Sequence, residues 1–98
     1  MTTTKTDTDT HTPTVLQTHI NLELAVDKCF SGAMLIATEA DIVMLKRNYA
    51  PHGEDRYYAV THSILACGEY SFYWSTYDLT LEEAAGVYCS KVASSRVR

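Results

Sequence analysis

Seven side chains of this 98-residue chain could ligate a metal: His11, His19, His52, His62, Cys29, Cys67 and Cys89. Their spacing argues against it. There is no C-x-x-C, no H-x3-H and no H-E-x-x-H, the patterns that bring two ligands to one ion from a single turn or helix face. Cys67, Cys89 and His62 could meet if a helix packed on a hairpin, but small buried thiols explain isolated cysteines better. Neither metal nor cofactor is expected. A Cys67–His62 nucleophile pair fares no better. The nearest charge to Cys67 is Glu69, which opposes thiolate formation, and His62, five residues back, projects from the opposite face of a strand. The paired acids Glu82–Glu83 diverge by about 100° on a helix, and Glu54–Asp55 with His52 and Arg56 reads as a solvated turn. Glycines 32, 53, 68 and 86 stand alone, so no phosphate-cradling loop exists. No catalytic residue is assigned.

The aromatic side chains carry more information. Seven of the ten fall between positions 57 and 77. Aromatics on a sheet can stack nucleobases, but such platforms are interleaved with Lys and Arg, and these strands contain neither. Direct nucleic-acid binding is therefore disfavoured. Tyr and Trp are also the residues in which protein-binding energy concentrates. Tyr58, Tyr73 and Tyr77 are the expected anchors of a partner, with Glu54, Asp55 and Glu69 as an acidic rim.

Several elements must position these residues. Segments 57–67 and 70–77 read as a β-hairpin turning at Gly68-Glu69, with Gly in the first central position of a two-residue type II′ turn. That register sets Leu65 opposite Phe72 and Ser63 opposite Trp74. Neither face is plainly polar, so one face takes a helix and the other needs a cover or a partner. Thr80 with Glu83 is a capping box that opens a helix over 81–93, with Leu81, Ala84, Ala85, Tyr88 and Val92 as its apolar stripe and fraying from Ser94 to Arg98. Asn21 caps a short helix over 22–30 that ends before Gly32, and 15–20 reads equally as a strand or as more of that helix. Segment 33–37 is a buried strand. Segment 39–48 is either a helix capped by Thr38 and Asp41 or a further strand, which would complete a four-stranded meander.

Residues 1–14 hold eight threonines and almost nothing apolar, and read as a flexible leader that cannot offset its own ordering entropy. Residues 15–98 then form a single α+β domain: a small antiparallel sheet of three or four strands, a C-terminal helix on one face and a short N-terminal helix. Twelve acidic against eight basic residues give a net charge of −4. That balance is wrong for a general nucleic-acid or anionic-membrane binder. No apolar run approaches the roughly 18 to 20 residues needed to span a bilayer, and the Thr-rich amino terminus lacks the apolar core of a secretory signal. An odd, scattered set of three cysteines fits a reducing cytoplasm.

In size, acidity, lack of a catalytic constellation and hairpin-plus-helix organisation over 57–93, the chain resembles small phage and mobile-element inhibitor proteins of the anti-CRISPR type. The resemblance implies a non-catalytic domain that binds a host defence or nucleic-acid-binding complex, protein or ribonucleoprotein, and blocks it by occupancy. A homo-oligomeric structural or adaptor protein, burying the second sheet face on its own copy, and a nucleic-acid-binding module are the alternatives.

Overall fold

The computed structural model describes residues 15–53 and 55–97; the 1–14 leader and Glu54 lie outside them. Helix α1 spans Val15–Cys29. It is followed by strands β1 (Met34–Glu39), β2 (Ile42–Lys46), β3 (Tyr58–Ala66) and β4 (Glu69–Leu79), and by helix α2 (Leu81–Val97). The strands form one sheet in the order β1-β2-β3-β4, each pair antiparallel. This is the small α+β fold expected, with the meander as its sheet. No helix of the described residues is long and apolar enough to cross a membrane.

The two helices cover opposite faces. On one, Leu22 and Val26 of α1 pack with Ala33, Val43, Leu45 and Ala59, flanked by Phe30, Leu35, Tyr70 and Phe72. On the other, Ala84 and Val92 of α2 pack on Ile42, Met44 and Val60, flanked by Ala37, Tyr58, Leu79, Val87 and Tyr88. The second hairpin face, which the sequence leaves in need of a cover, thus receives α1 from within the chain. Ile42, Val43, Met44 and Leu45 are buried in succession because successive side chains enter different cores. That unbroken apolar run decides 39–48 for strand. It has no alternation because neither face meets water.

Helix α1 is longer than the 22–30 expected. Asn21 is not its cap but an interior residue, accepting a hydrogen bond from Gln17 Nε2 at 3.0 Å. The helix ends where Gly32 N–H reaches the Asp27 carbonyl at 2.8 Å, with Ser31 in the left-handed conformation (φ 54°). That is the helix-ending bond pattern in which Gly is the usual occupant.

The turn joining β3 to β4 is Cys67-Gly68, not Gly68-Glu69. Both central residues have positive φ (53° and 80°), so Gly takes the second position and Ala66 pairs with Glu69. Near the turn the register is therefore two residues out from that expected: Leu65 faces Tyr70 and Ser63 faces Phe72. Two bulges on β4 then absorb the difference. From His62↔Tyr73 to Val60↔Thr76 to Tyr58↔Leu79, β4 uses three residues for every two of β3. The left-handed φ values fall on Trp74 (52°) and Asp78 (62°).

Helix α2 opens on the expected capping box. Thr80 N–H donates to Glu83 Oε1 at 3.0 Å, and Glu83 N–H donates to Thr80 Oγ1 at 3.1 Å. The backbone bond from Thr80 is the main cause of the Glu83 carboxyl lying below its ordinary range, with the Arg56 guanidinium 2.8 Å away assisting. Thr80→Ala is expected to cost about 1 kcal/mol of stability, as loss of such caps does, measured by urea unfolding. The helix runs to Val97 rather than fraying after 93, because Arg96 in its last turn is tied to Glu39 at the end of β1. Its inward stripe is Ala84 and Val92, both buried, with Val87 and Tyr88 half-buried beside them; Leu81 and Ala85, expected within it, are exposed.

Candidate functional site

The bulge at Trp74 creates the most unusual surface on the molecule. A large side chain sits there in the left-handed backbone region, which is costly for any residue but Gly. The bulge turns the indole outward, leaving Trp74 76% exposed, the most exposed large hydrophobic side chain among the described residues. Its ring is braced from below. The His62 imidazole lies 5.6 Å away edge-to-face, and the Tyr73 ring 5.0 Å away at 67°. Ile64, two residues beyond His62 on the same strand face, is 53% exposed and extends the apolar patch towards the hairpin tip.

Beneath Trp74 lies a polar cluster assembled from β3, β4, the β1–β2 turn and α2. His62 of β3 is largely buried, its side chain 13% exposed. Its Nδ1 is 3.3 Å from Oδ2 of Asp41, in the β1–β2 turn, and its Nε2 is 3.4 Å from Nζ of Lys91 on α2. The same Asp41 oxygen accepts the Tyr73 hydroxyl at 3.2 Å. An ammonium group only donates, so in the neutral ring Nε2 of His62 accepts and Nδ1 carries the proton that is given to Asp41. The turn is also fixed through its backbone: Ser63 N–H donates to the Asp41 carbonyl at 2.8 Å.

Burial pushes the Asp41 carboxyl up. The hydrogen bond from His62, followed by those from its own backbone and from Tyr73, outweighs burial and leaves it below its ordinary value of 3.8. A carboxylate held low stabilises the fold above its unfolded value and loses that contribution as pH falls through the folded one. Stability is accordingly expected to decline in acid below pH 3.8, with a shallower decline in Asp41→Asn, read from urea midpoints at pH 5 and pH 3.

Both ring nitrogens of His62 are engaged, so in this arrangement it offers no lone pair to a substrate. Cys29, Cys67 and Cys89 are exposed free thiols. Among the described residues no group of three or more His, Cys, Asp or Glu side chains converges as metal ligands would.

A second cluster closes the opposite end of the sheet. Arg47 lies between the rings of Tyr49 (4.7 Å) and Tyr77 (5.0 Å) and pairs with Asp78 at 3.4 Å. His52 lies 3.7 Å from the other Asp78 oxygen, and Arg56 donates to the Asp78 carbonyl at 3.1 Å. Lys46 lies over Tyr57 and Tyr58 at 5.5 and 5.9 Å. These contacts fix the 47–57 loop to β4 and α2.

The three tyrosines singled out from the sequence do not share a face. Tyr58 packs beside the α2 core, and Tyr73 lies on the same side within the His62 cluster. Tyr77 lies on the α1 side, 6.3 Å from Phe30. The bulges at Trp74 and Asp78 cause this separation, since each shifts the alternation of β4 by one residue. Asp55 is exposed in the loop and Glu69 at the hairpin tip, so the acidic residues are dispersed too. Trp74 was not among the expected anchors. Its standing as the only tryptophan was the one signal available. Compared with known protein families, curated proteins and solved structures, the chain matches none.

Proposed function

We propose that this chain is a non-catalytic protein-interaction domain that acts by occupancy, docking through Trp74 with Tyr73 and Ile64 beside it. The observation that carries the reading is the indole held 76% exposed on a left-handed bulge. Burying an exposed indole in a partner's pocket returns a large hydrophobic gain, and Trp is the residue type most enriched at binding hot spots. The bracing rings limit its motion before contact, which lowers the ordering cost of binding. The inhibitor role implied by the sequence resemblance is one form of this reading: a small domain covering the working surface of a host complex, with turnover in neither partner.

The test is affinity capture from the native host with wild-type protein and Trp74→Ala in parallel. A partner retained stoichiometrically by the wild type and lost by the variant supports the reading. Equal capture by both overturns it, as does finding that the sole associate is a second copy of the chain by sedimentation, or single-stranded nucleic acid released by salt.

A further inference from the structure

We propose that His62 is a proton switch that controls both the hold of the second half of α2 on the sheet and the presentation of Trp74. Its effect on binding rests on the docking role of Trp74; the switch itself does not. Imidazole is the side chain that ordinarily changes charge between pH 5 and 8, and here the two charge states make incompatible demands on the neighbours. The neutral ring satisfies both, giving its Nδ1 proton to Asp41 and accepting from Lys91 at Nε2. Protonation places a second donor on Nε2, 3.4 Å from an ammonium that has no lone pair to offer. Two positive donors then face one another. On the other side the Asp41 contact survives and strengthens, because its donor becomes charged. The conflict resolves at Lys91.

The groups around the ring make that outcome specific. Asp41 faces it from the β1–β2 turn, Tyr73 from β4 and Lys91 from α2, while β2 presents only apolar Ile42 as its pairing partner. The next charged pair, Glu39 with Arg96, ties the last turn of α2 to β1 near Tyr88. Lys91 lies between that tether and Tyr88 and adjoins the buried Val92. Displacing it loosens the helix beyond Tyr88 while its capped first turns stay in place. Trp74 feels the same event directly, because its indole rests against the imidazole. An imidazolium attracts the indole π-face, drawing Trp74 down onto the sheet and away from a partner.

Trp74 is the only tryptophan, so emission excited beyond the absorption of the seven tyrosines comes from this indole, which rests on His62 and Tyr73. Between pH 8 and pH 5, a single-proton transition with loss of emission is expected, since imidazolium quenches indole more strongly than imidazole does. His62→Gln is expected to remove it. Lys91→Met, which needs no repacking beneath the sheet, is expected to move the midpoint to higher pH, because the cation 3.4 Å from Nε2 that opposes protonation has gone. Backbone amides of Lys91 to Arg96 are expected to exchange faster at pH 5 than at pH 8 once intrinsic rates are allowed for. Flat wild-type emission, a transition that persists in His62→Gln, or a midpoint unmoved by Lys91→Met overturns the switch. Capture that ignores Trp74 while the emission transition behaves as stated overturns the docking role and upholds the switch.

Discussion

Trp74→Ala is expected to abolish partner capture, weakening binding by at least about 30-fold, while unfolding stays cooperative. Truncation of a hot-spot tryptophan costs about 2 kcal/mol or more, and each 1.4 kcal/mol is tenfold in affinity. The folded protein loses little, because the indole is 76% exposed and its internal contacts are the two edge-to-face rings of His62 and Tyr73. Such pairs contribute about 0.5–1.5 kcal/mol each, so the variant remains well folded. The tyrosines would make a poorer test. Tyr73 gives its hydroxyl to Asp41, and Tyr77 packs near Phe30 and under Arg47, so removing either disturbs the fold as well as the surface. Parallel calorimetry and titration against the captured partner separate the two effects. A binding loss below threefold would place the anchor elsewhere.

Leu45→Ala is expected to cost about 2–5 kcal/mol, the range for deleting a fully buried leucine side chain. Leu45 is 0% exposed, on a central strand, in the core shared with Leu22 and Val26 of α1. Against a total stability of about 5–15 kcal/mol for a small domain, the variant sits close to its unfolding threshold. A fall in melting temperature of about 10 °C or more follows. Leu24→Ala is the control: 61% exposed on the same helix layer, it is expected to change stability by under about 0.5 kcal/mol. Equal effects at the two positions would mean that α1 does not pack on the sheet as described.

What could be read from the sequence follows from how local each signal is. The start of α2 was legible because Thr80 and Glu83 satisfy one another within a single turn. The hairpin was legible as an aromatic and β-branched stretch around one Gly, yet its turn was placed one residue late. Nothing in Cys67-Gly68 announces that a cysteine will adopt positive φ. Segment 39–48 resisted assignment because alternation, the mark of a strand, vanishes when both faces are buried. The same cause hid the role of α1, since a face read as waiting for a partner is covered from within the chain. The His62 cluster was invisible for another reason. Asp41, His62, Tyr73 and Lys91 are separated by 21, 11 and 18 residues along the chain, and only the sheet register and the crossing of α2 bring them together. The bulges leave no mark in the residue pattern of β4, yet they decide which of its side chains share a face.

Those bulges also govern what the sheet can join. β4 is an outer strand, and an outer strand with a regular run of free amide and carbonyl groups invites any extended chain to pair with it. On β4 the repeat breaks at Trp74 and again at Asp78, and on β1 it breaks between Leu35 and Ala37. Neither rim keeps an unbroken ladder along its whole length for an incoming strand to extend. An edge so kinked gives little purchase to an extended backbone, and growth of the sheet into fibres is checked by the same kinks that lift its tryptophan into water.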